Sequence, residues 1–141
     1  MNINQLIEFG SRHSMLVAAL LAILAMLAAD TIRRRLSGIR DIEPRQATRL
    51  LNTEHAVMID MRSEKEFRGS HIINAIHLDN LQDPAAGLQK YRDKPLIVYC
   101  NSGNSSLGVC GKLHRQGFEN VYNLKGGIQA WQKSELPVSR T

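Results

Sequence analysis

A chain of 141 residues, 43% of them apolar and with a net charge of +5, has room for one modest domain and an appendage. The charge does not make it a nucleic-acid binder, because residues 38–141 carry only a small positive excess with no basic run, and the one true cluster, Arg33 to Arg35, abuts an apolar stretch. Two cysteines exclude a disulfide framework, and the five histidines show no metal-ligand spacing with them or with a carboxylate pair, so neither a metal nor a cofactor is expected.

The appendage comes first in the chain. From Met15 to Ala29 the sequence reads MLVAALLAILAMLAA, without one polar interruption. A surface helix needs a polar stripe and this run has none. As a helix it spans about 22 Å at about 1.5 Å per residue, short of the roughly 30 Å hydrocarbon core. The lightly charged flanks make up the difference, and Arg12 and Arg33 can extend their heads to the lipid surfaces. The expected layout is an N-terminal segment 1–13, a transmembrane helix 14–32 in the lipid bilayer, and a basic juxtamembrane linker 33–38. A cleaved secretory signal is the rival reading, but a signal peptide carries its positive charge ahead of the apolar run. Here Glu8 offsets Arg12 and the cluster follows the run. The positive-inside tendency keeps that cluster in the cytoplasm. The N-terminus then faces out and everything from Ser37 onward is cytoplasmic, as a single-pass protein of the inner (cytoplasmic) membrane. Ala18, Ala22, Ala25 and Ala29 share one helix face, which offers a surface for self-association.

After the arginines, LSGIRDIEP reads as a linker entering a small strand, and Pro44 opens a helix over PRQATRLLN. AVMID, ending at Asp60, is a short buried-type strand. A helix is expected over DPAAGLQKYRD, then a strand over PLIVYC ending at Cys100. A loop, the helix SSLGVCGKLHRQGF, the strand VYNL and a closing helix GGIQAWQKS complete the chain. Strands alternating with helices at this interval predict an α/β domain over 39–141, a small parallel sheet flanked by helices on both faces. Ligands of such sheets gather at the carboxyl ends of the strands, where Cys100 falls.

The stretch VYCNSGNSS places that cysteine before a tight polar loop and a helix. Such a sulfur faces the positive end of the helix dipole and unpaired backbone N–H groups that form an anion-binding nest. The small residues Ser102, Gly103, Ser105 and Ser106 let the chain curl closely enough for those groups to converge. The setting lowers a thiol pKa from its usual value of about 8.5. A thiolate held this way can attack an electrophilic sulfur and retain the product as a persulfide anion. The plain alternative is a buried cysteine serving as a small hydrophobe.

From about Ile39 to Val138 the sequence resembles a rhodanese-homology domain, the sulfurtransferase fold. The resemblance is carried by VMIDMRSEKEFRGSHIINAIHL, through Asp60, Arg62, Glu66, Phe67, His71, Ile72 and Ala75, by the loop VYCNSGNSS, and by GFENVYNLKGGIQAW. The anchor plus single domain resembles membrane-tethered rhodanese-like proteins of bacteria. The resemblance implies a sulfurtransferase that moves sulfane sulfur from a donor to a thiophilic acceptor, with a small thiol or a protein persulfide as the partners in that exchange. Cys100 is then the nucleophile, and the backbone N–H groups of Asn101, Ser102, Gly103, Asn104, Ser105 and Ser106 bind the persulfide or the departing anion. One departure stands out. Many active members carry an arginine five positions after the cysteine, and here Ser105 stands there with neutral Asn104 before it. A charged bidentate clamp outweighs a hydroxyl contact, so thiosulfate is disfavoured as donor. The related phosphatase loop needs an arginine at the following position, which is Ser106. A non-catalytic tethered module that binds an anion or a partner is the alternative function.

Asp60 and Arg62 are read as an ion pair shaping the loop rather than touching substrate, and His71 as a residue fixing a loop by hydrogen bonds. Cys110, well inside the next helix, is read as core and beyond disulfide reach of Cys100. Trp131 and the Gly126–Gly127 pair are read as packing and turn chemistry.

Overall fold

The computed structural model describes residues 2–36 and 38–141, apart from the Arg34 side chain; Ser37 and that side chain, both in the expected basic linker, lie outside the described residues. The chain divides into two compact units between Gly38 and Ile39. In the first, helix α1 (Ile3–Arg12) precedes helix α2 (Ser14–Leu36). The sequence reading assigned no helix to the first segment. There the Asn2 N–H donates to Gln5 Oε1 at 3.3 Å, so a cap at Asn2 starts the helix. Ile3, Leu6 and Ile7 are exposed along one face of α1, at spacings of three and four. Helix α2 runs past the expected end at 32, because arginine is a good helix former and nothing between Arg33 and Leu36 breaks the pattern. Its stretch Ser14–Arg33, with mean hydropathy 2.4, is long and apolar enough to cross a membrane.

The second unit holds strand β1 (Arg40–Ile42), helix α3 (Pro44–Thr53), strand β2 (Val57–Asp60), helix α4 (Glu64–Gly69), strands β3 (His71–Ile72), β4 (Ile76–His77) and β5 (Leu96–Tyr99), helix α5 (Ser106–Arg115), strand β6 (Val121–Leu124), helix α6 (Gly127–Lys133) and strand β7 (Val138–Ser139). Five strands form one parallel sheet in the order β1-β6-β5-β2-β4, and β3 pairs with β7 antiparallel in a small second sheet. The expected architecture is the one observed: a parallel sheet with helices on both sides.

Strand β5 shows why. Leu96 and Val98 point to one face, into a core with Val109, Leu113 and Phe118 from α5 and its exit turn. Ile97 and Tyr99 point to the other, into a core with Ala47 of α3 and Ile128 and Trp131 of α6. A continuous apolar run, not an alternating one, is what a strand buried on both faces requires. Strands β2 and β5 are neighbours, and the chain leaves them in opposite directions, to β4 and to β6. The crevice at their carboxyl ends is therefore the switch point of the sheet.

Two local expectations need correcting. The helix expected over 83–93 is two 3-10 turns, Pro84–Gly87 and Gln89–Tyr91. Pro84 and Gly87 leave little to support a longer helix, while Ala85 and Leu88, three apart, both enter the core from the tighter turn. Helix α4 was not anticipated, although Ser63 and Glu66 form its capping box: the Glu66 N–H donates to Ser63 Oγ at 3.3 Å and the Ser63 N–H to Glu66 Oε2 at 3.2 Å.

Candidate active site at the end of the central strand

Cys100 follows the last residue of β5 and is buried, with about 5% of its surface exposed. The chain turns back over it at once. Gly103 adopts φ +86°, and its N–H donates to Cys100 Sγ at 3.1 Å. The Ser106 hydroxyl, on the first residue of α5, lies 3.4 Å from the same sulfur. Burial alone would push the thiol up. The Ser106 hydroxyl and the backbone N–H groups of Ser106, Ser102 and Gly103 outweigh it and hold the thiol below its ordinary value. Cys110 shows the contrast. It is fully buried with its Sγ near the Tyr122 carbonyl at 3.6 Å, and burial drives its thiol up, leaving it protonated and inert.

Close approach of two turns makes the cradle. A Cβ on Gly103 would meet the Gly126 nitrogen at 2.8 Å and the Leu124 carbonyl oxygen at 2.9 Å, and a Cβ on Gly127 would strike the Cys100 carbonyl. The Ile128 N–H donates to the Cys100 carbonyl at 3.0 Å and the Gln129 N–H to the Asn101 carbonyl at 3.3 Å. The GG turn thus brings the start of α6 onto the loop's first two carbonyls.

Other side chains tie the loop to the sheet. Asp60 is fully buried and accepts from Arg62 Nη2 at 2.8 Å and from the Tyr99 hydroxyl at 2.7 Å. The Tyr99 hydroxyl in turn accepts from the Ile72 N–H at 3.1 Å. Burial works to neutralise Arg62, but the hydrogen bond and charge of Asp60 prevail and raise it further, so the guanidinium stays charged. Arg62 Nη1 reaches Asn101 Oδ1 at 3.4 Å, and Asn101 Nδ2 donates to Glu66 Oε1 at 2.7 Å. The hydrogen bonds from Asn101 and Ser63 hold the Glu66 carboxyl below the usual range. An anion therefore stands at the outer edge of the loop.

Of the residues singled out in the sequence, Cys100, Ser102, Gly103 and Ser106 converge on the sulfur. Asn101, Asn104 and Ser105 occupy the exposed outer turn. Asp60 and Arg62 reach the loop through Asn101 and not the sulfur. His71 lies on β3, its Nδ1 2.8 Å from the Phe67 carbonyl and its ring stacked on Phe67 at 4.0 Å. Two participants were missed. The Ser106 side chain, and not only its amide, faces the sulfur, and the buried Asn123 of β6 holds that side chain. A polar residue inside the short strand VYNL was the available signal, since buried amides are held by hydrogen bonds.

Comparisons with known proteins agree with this fold. Residues 43–134 match the family described as Rhodanese-like domain. The chain is 33% identical over 139 residues to the uncharacterized protein YibN of Escherichia coli K12, covering 96% of this chain and 97% of that protein. It is 40% identical over 99 residues to the thiosulfate sulfurtransferase GlpE of Glaesserella parasuis, covering 70% of this chain and 91% of that protein. Among solved structures, a rhodanese-related protein of Thermoplasma volcanium superposes with a TM-score of 0.61 at 27% identity, over 72% of this chain and 99% of that one.

Proposed function

The chain belongs to the rhodanese-like family, and from that premise we propose that it is a sulfurtransferase working through a persulfide on Cys100. The observation that carries the reading is the sulfur's surroundings: a Gly103 N–H at 3.1 Å and a Ser106 hydroxyl at 3.4 Å, in a loop too tight for any residue but glycine at 103. In the first step the Cys100 thiolate attacks the sulfane sulfur of the donor. A bond forms between Sγ and that sulfur, the donor's bond to it breaks, and the donor leaves with the electron pair. The negative charge now sits on the outer sulfur, among the loop amides. In the second step an acceptor thiolate takes the outer sulfur and Cys100 leaves as a thiolate. No general base is required, because the amides and the hydroxyl already favour the anion.

The donor suited to this mouth is neutral or a protein-bound persulfide. Ser105 brings no charge to the outer turn, and the Glu66 carboxylate beside Asn101 repels a dianion. The GlpE relatives are thiosulfate sulfurtransferases, whereas the neutral Ser105 of this chain favours a donor other than thiosulfate.

Helix α2 supports a membrane tether, with the arginines at its end and the catalytic domain on the cytoplasmic side of the inner membrane. The alanine face at 18, 22, 25 and 29 then suits helix association. A reporter active only in the periplasm, fused at the C-terminus, stays silent under this reading, and activity there would reverse the topology.

The test of transfer uses the full chain in detergent and a donor labelled in its sulfane sulfur, a small organic persulfide. Label retained on the protein and released to an added thiol is the expected result. Label that never enters the protein, with the loop still binding an anion, makes the chain a tethered binding module instead.

A further inference from the structure

The Ser106 hydroxyl beside the sulfur carries a single proton, and its direction is set by the groups around it. Ser106 Oγ lies between two groups, Cys100 Sγ at 3.4 Å and Asn123 Oδ1 at short hydrogen-bond distance. The orientation of the Asn123 amide is fixed by its other end. Nδ2 donates to Asp41 Oδ1 at 2.8 Å and to the Gly103 carbonyl at 2.9 Å, and a backbone carbonyl can only accept. The carbonyl Oδ1 must therefore face Ser106 and can only accept from it. Ser106 and Asn123 are buried to 0% and 1% exposure, so water does not substitute. One hydroxyl proton is thus contested by two acceptors whenever the sulfur is an anion.

We infer that Asn123 is a positioning residue which claims the Ser106 proton in every state of the sulfur except the bare thiolate, and so favours the persulfide over that thiolate. In the thiol state the S–H donates to Ser106 Oγ, and Ser106 donates to Asn123. When the proton leaves, Ser106 must release Asn123 Oδ1 to donate to Sγ, and a buried carbonyl loses its donor. Once a second sulfur is attached, Sγ is a neutral divalent atom and the charge lies on the outer sulfur. Ser106 then returns to Asn123, while the loop amides hold the outer anion. The thiolate is left less satisfied than the species before and after it, which makes it the stronger nucleophile. The inference rests on the persulfide reading for its consequence, but the contest for the proton is a property of the thiol alone.

The groups facing Cys100 permit a clean measurement. Cys110 on α5 stays a neutral thiol, Asp41 of β1 lies beyond Asn123, and Asp60 of β2 is paired with Arg62, whose Nη1 reaches the loop only at Asn101. The experiment is the pH profile of iodoacetamide alkylation at Cys100 in the full chain in detergent, read by peptide mass so that Cys110 does not contribute. Asn123→Leu frees Ser106 to donate to the thiolate, and the midpoint is expected to fall by about one pH unit. Asn123→Asp offers Ser106 a stronger acceptor and adds a buried negative charge, and the midpoint is expected to rise. In Ser106→Ala the midpoint rises, and adding Asn123→Leu there moves it no further down. A midpoint unchanged in both Asn123 variants overturns the inference, as does a fall of the same size in the Ser106→Ala background. Should the leucine variant not fold, Asn123→Asp decides the matter: its rise is expected to exceed the rise that the same change gives in the Ser106→Ala background, where only the added charge acts, and rises of equal size overturn the inference. The alkylation profile needs no turnover, so a failed transfer assay with shifted midpoints would count against the persulfide reading and not against the role of Asn123.

Discussion

Replacing Gly103 by alanine puts the loop geometry to a quantitative test. At φ +86° an alanine pays about 1 kcal/mol for the left-handed backbone. Its Cβ would also lie 2.8 Å from the Gly126 nitrogen and 2.9 Å from the Leu124 carbonyl oxygen, so backbone on β6 and at the GG turn must move. That movement breaks the Gly103 contact with Asn123 Nδ2 as well, a buried hydrogen bond worth about 1 kcal/mol. A total of about 2–4 kcal/mol follows, or roughly 10–20 °C in Tm for a domain of this size. The sulfur changes too. Loss of a hydrogen bond to the thiolate, about 1.5 kcal/mol, moves the alkylation midpoint of Cys100 up by about one pH unit. Calorimetry and alkylation on the same sample read both effects. Gly108→Ala in α5 is the control, because nothing lies within 4 Å of the added Cβ and the helix gains up to about 1 kcal/mol. A Gly103→Ala protein with unchanged Tm and unchanged midpoint would refute the reasoning, for the loop would then be able to relax without cost.

Three other outcomes follow from the same structure. Ser105 lies in ordinary αR backbone and its side chain caps nothing, so Ser105→Arg is tolerated and lowers the KM for thiosulfate about tenfold, measured by steady-state transfer to a thiol. Asp60→Asn strands a buried guanidinium and weakens the bond from the Tyr99 hydroxyl, and denaturant unfolding should show a loss of about 3–5 kcal/mol. The Cys100 thiol sits below its unfolded value, so the native state binds its proton less tightly than the unfolded state. Stability from this group is present above the ordinary thiol range and is lost as pH falls through the folded value. Between those two values unfolding free energy should rise with pH, and the rise should be missing from Cys100→Ser.

Much of the fold was legible because it is written in local signals. The apolar runs of β2 and β5, the proline that opens α3 and the glycine pair before α6 each announce their element within a few residues. The 3-10 turns at 84–91 were misread because Ala85 and Leu88 sit at a spacing that serves an α-helix and a 3-10 turn alike. Helix α4 carried a readable capping box, but its six residues show too little apolar periodicity to stand out. The candidate cysteine and its loop were visible for a similar local reason, as a strand end, a cysteine and small residues in direct succession. What stayed hidden depends on pairing across the sheet. Asn123 comes beside Val98 only through the parallel β5–β6 register, and the Asp41 that anchors it arrives from β1 on the other side of β6. No window of sequence contains that triad. The Ser106 hydroxyl was masked by its backbone role, since the same residue that lends an amide to the loop begins α5 and turns its side chain inward.

The persulfide itself is the most direct thing to measure. After the full chain is incubated with a sulfane-sulfur donor, intact-mass analysis should show the added mass of a single sulfur atom, removed by a thiol acceptor and never seen in Cys100→Ser. An unmodified mass with every donor, or an adduct that survives the Cys100→Ser change, would contradict the account at its centre.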